Sequence, residues 1–145
     1  MRNLLFKLCF IAILVSNLTA CTKSSNDVAP TATPDVSNKF VGHYMGSYVE
    51  KTVTEDLRMD DMQAVVTKKT GTDLRFNLSV KSINFTLNGT VVNDTIVKVT
   101  DTKCLDYEII SGTITLRGKN NLYIQMITHE ANSPEMIQVT YNGTK

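Results

Sequence analysis

Apolar and polar positions alternate with a period of two in several separate runs of this chain. Leu74, Phe76, Leu78 and Val80 alternate with Arg75, Asn77 and Ser79, and Ile83, Phe85 and Leu87 with Asn84 and Thr86. Ile137, Val139 and Tyr141 alternate with Gln138 and Thr140, and weaker alternation runs through Ile114–Leu116 and Leu122–Met126. Successive side chains of a strand point to opposite faces, so this pattern predicts strands with one buried face. No window keeps a helical period over three turns. Glu55–Gln63 comes nearest, and its charge density reads as a loop. Turn-forming residues punctuate the runs at Lys69–Asp73, Asn88-Gly89, Asn93-Asp94 and Gly118–Asn121; Asn and Gly tolerate the positive φ angles of tight hairpins. The expectation is an all-β domain, an antiparallel meander of about eight strands. It must close as a barrel or stack as a β-sandwich to hide its edges.

The first strand favours the barrel. Phe40, Gly42, Tyr44, Gly46 and Tyr48 fall on one face, and glycine alternating with aromatics lets a sheet coil tightly. With Gly42-His-Tyr44-Met-Gly46 at its start, Ile110-Ser-Gly-Thr-Ile114 before a late hairpin and Tyr141-Asn-Gly143 at its end, residues 38–145 resemble the calycin-like (lipocalin-like) domains of small bacterial lipoproteins. The resemblance implies a lipocalin-like barrel that binds a ligand. Tyr44 stands where true lipocalins have Trp, and no arginine follows Arg117, so the arginine that packs over that Trp has no counterpart.

Composition adds a β-rich domain and a separate leader. Val, Ile and Thr supply 34 of the 108 residues from Asn38 to Lys145, while Ala supplies two, a balance suited to pleated surfaces. Residues 1–20 place Arg2 and Lys7 before an apolar run, Leu8–Val15, too short to cross a bilayer: a secretory signal peptide. Leu18-Thr19-Ala20-Cys21 resembles the bacterial lipobox. That resemblance implies cleavage between Ala20 and Cys21, acylation of Cys21 (palmitate among the expected chains), and a membrane-anchored product. Thr22, rather than aspartate, after that cysteine implies the outer membrane, on the periplasmic side or the cell surface. Residues 21–37 contain Pro30 and Pro34 among polar residues and read as a flexible tether.

Charge and candidate chemistry narrow the function. Residues 38–145 carry 12 Lys/Arg and 12 Asp/Glu, so the domain lacks the basic footprint of a nucleic-acid binder. Cys104 stands alone once Cys9 leaves with the signal peptide and Cys21 takes lipid, and a lone cysteine is expected as a small buried hydrophobe. His43 and His129 have no metal-ligand spacing, and no nucleophile elbow, phosphate loop or dinucleotide fingerprint is present. No metal, cofactor or catalysis is expected. Tyr44, Tyr48, Phe76, Phe85 and Tyr123 are the candidate ligand-lining residues, with tyrosine hydroxyls as polar anchors in an apolar pocket. The expected function is a non-catalytic binding module for a small apolar ligand or glycan. The alternative is a filled barrel that docks onto, or inhibits, another envelope protein.

Overall fold

The computed structural model describes residues 35–80 and 83–145. The expected signal peptide, Ala20–Cys21 junction and most of the tether lie outside them. Residues 34–145 form a compact unit, and its buried apolar cluster lies wholly between Val36 and Tyr141, so the unit holds a core of its own.

The chain enters through a 3-10 turn, Val36–Lys39. Nine strands follow: β1 Gly42–Lys51, β2 Asp56–Lys68, β3 Asp73–Val80, β4 Ile83–Val91, β5 Ile96–Val99, β6 Lys103–Cys104, β7 Tyr107–Arg117, β8 Asn121–Glu130 and β9 Met136–Thr144. All pair antiparallel. β1 to β5 follow sequence order, β9 returns to β1, and β5 joins β7 through Ile96–Lys98 against Thr113–Thr115. That last pairing closes eight strands into a barrel, with the two-residue β6 as a flap on β7. Closure removes the free edges, and the barrel rather than the β-sandwich is the architecture.

The alternation read from sequence sets the inner face. Tyr44, Met62, Ala64, Leu74, Phe76, Leu87, Val97, Ile114 and Leu122 have no exposed surface, and Val66, Leu78, Ile124 and Tyr141 are buried almost as completely. Each large apolar side chain buried this way contributes about 1.5–3 kcal/mol. Gly46 and Gly143 face each other across β1 and β9, and they let aromatics fill the space. A Cβ on Gly46 would lie 1.9 Å from the Asn142 carbonyl oxygen, and one on Gly143 2.1 Å from the Tyr141 hydroxyl. The Tyr141 ring therefore lies across Gly143. Its hydroxyl is 3.1 Å from the Tyr44 carbonyl and 3.3 Å from that of Met62, and Tyr44 donates to the Phe40 carbonyl at 2.8 Å.

Three sequence expectations need correction. Phe40 is fully buried, yet it ends the 3-10 turn rather than beginning the strand. Glu55–Gln63 is not a loop, because β2 already starts at Asp56. There β2 pairs with β1, while its pairing to β3 begins at Gln63, so most of this stretch stays exposed and charges cost little. Asp60 and Asp61 bulge opposite Ser47, with Asp61 at φ 60°. Asn88-Gly89 lies inside β4 rather than in a turn. A Cβ on Gly89 would meet a Val97 methyl at 2.6 Å, so this glycine admits the close approach of β5. Ile110–Ile114 lies within β7, at the bulge opposite Ile127 and Thr128 and, as expected, ahead of the β7–β8 hairpin turn.

The barrel has two distinct ends. At the near end lie the 3-10 turn, Lys145 and the β2–β3, β4–β5 and β7–β8 turns. At the far end lie the β1–β2, β3–β4, β6–β7 and β8–β9 connections.

Candidate binding surface at the far end of the barrel

The five expected ligand-lining residues separate. Tyr44 and Phe76 expose no surface, so no water-sized space adjoins them: they fill the interior rather than line a pocket. Tyr123 stands between buried Leu122 and Ile124 and so faces outward, under the Arg117 guanidinium 3.7 Å from its ring centroid. Tyr48 and Phe85 keep 6% and 8% exposure. They meet edge to face at the far end of the interior, ring centroids 6.0 Å apart.

A polar cluster caps these two rings. Glu50 lies two residues beyond Tyr48 on the same face of β1, and the Tyr48 hydroxyl donates to its Oε1. Burial first, then the Glu50 hydrogen bond and charge, push the Tyr48 phenol far above its ordinary range. The short β6–β7 hairpin adds Cys104 and Tyr107, which pair across it, and Tyr107 pairs in turn with Glu130 of β8. Tyr107 is raised by burial and then by the charges of Glu50, Glu130 and Asp106. Burial, with Asp101 and Glu50 nearby, pushes the Cys104 thiol up to about 11. Cys104 is 8% exposed and carries its proton at neutral pH, which suits a packed hydrophobe and not a nucleophile.

Beside this cluster lies a cleft of about 480 Å³, lined by Lys103, Leu105, Asp106, Glu108, Glu130 and Asn132. Lys103 and His129 both reach the Glu108 carboxylate, at 3.6 and 3.4 Å. Large apolar side chains are exposed at the same end of the barrel: Leu105 at the cleft, and Val53, Leu57 and Met136 on the other connections and strand ends, are 51–89% accessible. The Val53 amide donates to Glu135 at 3.3 Å, which ties the β1–β2 and β8–β9 connections together. Leu105 adopts φ 53° at the hairpin tip, a costly conformation for a branched side chain. Among the described residues, no group of three or more His, Cys, Asp or Glu side chains is placed to hold a metal ion, and no helix is long and apolar enough to cross a membrane.

Sequence reasoning found Tyr48 and Phe85 through their strand alternation. It missed Glu50 and Tyr107. Glu50 prolongs the inner face of β1 by one step past Tyr48, and that spacing was the available signal.

No family model and no curated protein matches the chain. Among solved structures, it is similar to a "putative outer membrane protein" from Bacteroides fragilis NCTC 9343, at 16% identity and a TM-score of 0.57, over 78% of this chain and 54% of that one. It is also similar to a structural-genomics protein of unknown function from Bacteroides ovatus, at 12% identity and a TM-score of 0.50, over 72% of this chain and 41% of that one. The chain thus spans about half the length of the structures it matches, and at these identities the likeness is one of fold. The fold is an eight-stranded antiparallel barrel, and one structure similar to it is named a putative outer membrane protein.

Proposed function

We propose that this chain is a calycin-like lipoprotein of the bacterial outer membrane, anchored through Cys21, that acts as a non-catalytic binding module through the far end of its barrel. The observation that carries the reading is the inner-face Glu50 carboxylate, held by Tyr48 above a filled core and next to a carboxylate-lined cleft. A deep apolar calyx does not fit side chains packed as tightly as Tyr44 and Phe76. A shallow site does. Phenol faces and apolar edges pack against the C–H face of a sugar, and carboxylates accept from its hydroxyls. A glycan is the ligand class this chemistry favours, and an anionic ligand such as a fatty-acid carboxylate is disfavoured by the surrounding carboxylates.

The test is native mass spectrometry of residues 35–145 incubated with an envelope glycan and small-molecule extract. A retained adduct that is lost in Glu50→Gln and in Tyr107→Ala supports the far-end site; an adduct that both variants keep overturns it. Anchoring is read separately, by palmitate labelling of the full chain that disappears in Cys21→Ser.

A second reading has its own observation. Val53, Leu57, Leu105 and Met136 leave apolar surface exposed around the same end, as a protein-docking face does. Under that reading Leu57→Asp abolishes capture of a stoichiometric partner from detergent-solubilised envelope, while Glu50→Gln does not.

A further inference from the structure

The domain is close to neutral in total, but its charges are sorted along the barrel axis. At the far end the described residues place nine carboxylates, including Glu50, Asp56, Asp106, Glu130 and Glu135, against three cations, Lys51, Arg58 and Lys103. At the near end the order is reversed. Lys39, Lys68, Lys69, Arg117, Lys119 and Lys145 face only Asp35, Asp73 and Asp94. Those three acids are engaged locally: Asp35 with Lys68, Asp94 with Lys39 at 2.5 Å, and Asp73 as acceptor from Thr90 at 2.7 Å. Lys69 and Lys119 sit exposed on the β2–β3 and β7–β8 turns and form no ion pair among the described residues.

Two further features mark the near end. A cleft of about 430 Å³ opens there between Lys39 and Lys119, lined also by Asp94 (the partner of Lys39), Thr95, Leu116 and Gly118. Val92, 62% exposed, lies in the β4–β5 turn at this end. The chain also enters the barrel at this end, where Asp35 is tied to Lys68 of β2. From Cys21 to that point is a stretch of 13 residues, on the order of 40 Å when extended. Any anchor at Cys21 therefore pulls on the basic end.

We infer that the near end docks on an anionic phospholipid surface, with Lys69 and Lys119 as the principal contacts and the acidic far end turned away from it. The inference rests on the proposed anchoring for its place in the cell, but the surface itself binds without the anchor. A lysine close to an anionic bilayer adds about fivefold to the binding constant, so a handful of them bind weakly from solution. A tether converts that weak attraction into a fixed orientation by raising the local concentration.

Sedimentation of residues 35–145 with vesicles tests the inference, with phosphatidylcholine alone compared with an equimolar mixture with phosphatidylglycerol at low salt. The expected result is binding to the anionic vesicles only, reduced about 25-fold in Lys69→Gln/Lys119→Gln and unchanged in Glu135→Gln. Equal binding to both vesicles, absence of binding to either, or full binding by the double variant overturns it. Because this fragment lacks Cys21, a negative result removes the docking surface and leaves anchoring to be judged by palmitate labelling. Both lysines lie on exposed turns outside the core, so circular dichroism of the double variant is expected to match that of the parent.

Discussion

The two ends of this barrel are built from the same strands and solve different problems. At the near end the interior is sealed: Phe40 is fully buried, Tyr44 bonds back to its carbonyl, and the Lys145 ammonium donates to the carbonyls of Lys39 and Val41, both at 3.1 Å. The carbonyls of Lys39, Phe40 and Val41, at and just past the end of the 3-10 turn, thus all accept from side chains. At the far end the seal is incomplete. Tyr48 and Phe85 retain a little exposure, carboxylates crowd around them, and large apolar side chains stand in solvent. A fold stabilised at one end can tolerate cost at the other, which is where binding surfaces tend to be found.

The largest effect expected from testing this contrast is at the sealed end. Tyr44→Ala removes a fully buried ring and the hydroxyl that donates to the Phe40 carbonyl, and is expected to cost about 3–5 kcal/mol in urea unfolding. A loss of ligand binding in that variant would therefore report unfolding and not a contact. Tyr107→Ala, at the half-buried far end, is expected to cost less than half as much. Equal costs would mean that the two ends are equally important to the fold.

A second comparison uses pH. Burial pushes the Tyr44 and Tyr141 phenols from an ordinary 10 to about 12, and Tyr48 higher still through burial and Glu50. Unfolded phenols lose their protons first as pH rises, so this stability is whole below about pH 10 and drains as pH climbs through 12. Tyr48→Phe is expected to flatten the alkaline loss of stability measured by urea midpoints, and Glu50→Gln to do so partly. A Glu50→Gln curve that coincides with the parent would remove Glu50 from the cluster.

Cys104 offers a milder probe. Its thiol sits near 11 when folded against an ordinary 9.0, so at pH 8 alkylation should run about a hundredfold slower than in urea. The smallest expected effects belong to the two non-glycine residues with left-handed backbone among the described residues. Asp61→Gly and Leu105→Gly should each stabilise by about 0.5–1 kcal/mol, by relieving φ angles of 60° and 53°. If Leu105→Gly also weakens ligand or partner capture, the strain there serves the far-end surface.

The sequence made most of the barrel legible because, outside the bulges of β2 and β7, inner positions keep a period of two. Glycine was read well where it meets an aromatic, at Gly46 and Gly143, and wrongly at Gly89, where the reason is a neighbouring strand remote in the pattern. β2 was missed at its charged start because burial, the signal that periodicity reports, is absent where a strand lacks a second neighbour. For the site, Tyr48 and Phe85 could be read and Tyr123 could not. The outward face of β8 shows the same residue types, and only the Arg117 guanidinium on the ring reveals its direction. Charge sorting was invisible in a count of twelve against twelve, since turns, and not neighbours in sequence, decide which end a residue joins.

The pairing of β1 with β9 carries a consequence for how the molecule is made. The Tyr141 hydroxyl reaches the Tyr44 carbonyl across 97 positions of chain, and Met45 of β1 pairs with Thr144. The cylinder therefore cannot shut until its final strand is available. A chain still emerging from a ribosome must wait, unclosed, for β9, and contacts this distant in sequence make the closing step slow. Until β9 pairs with β1, the strands already made stay pliable.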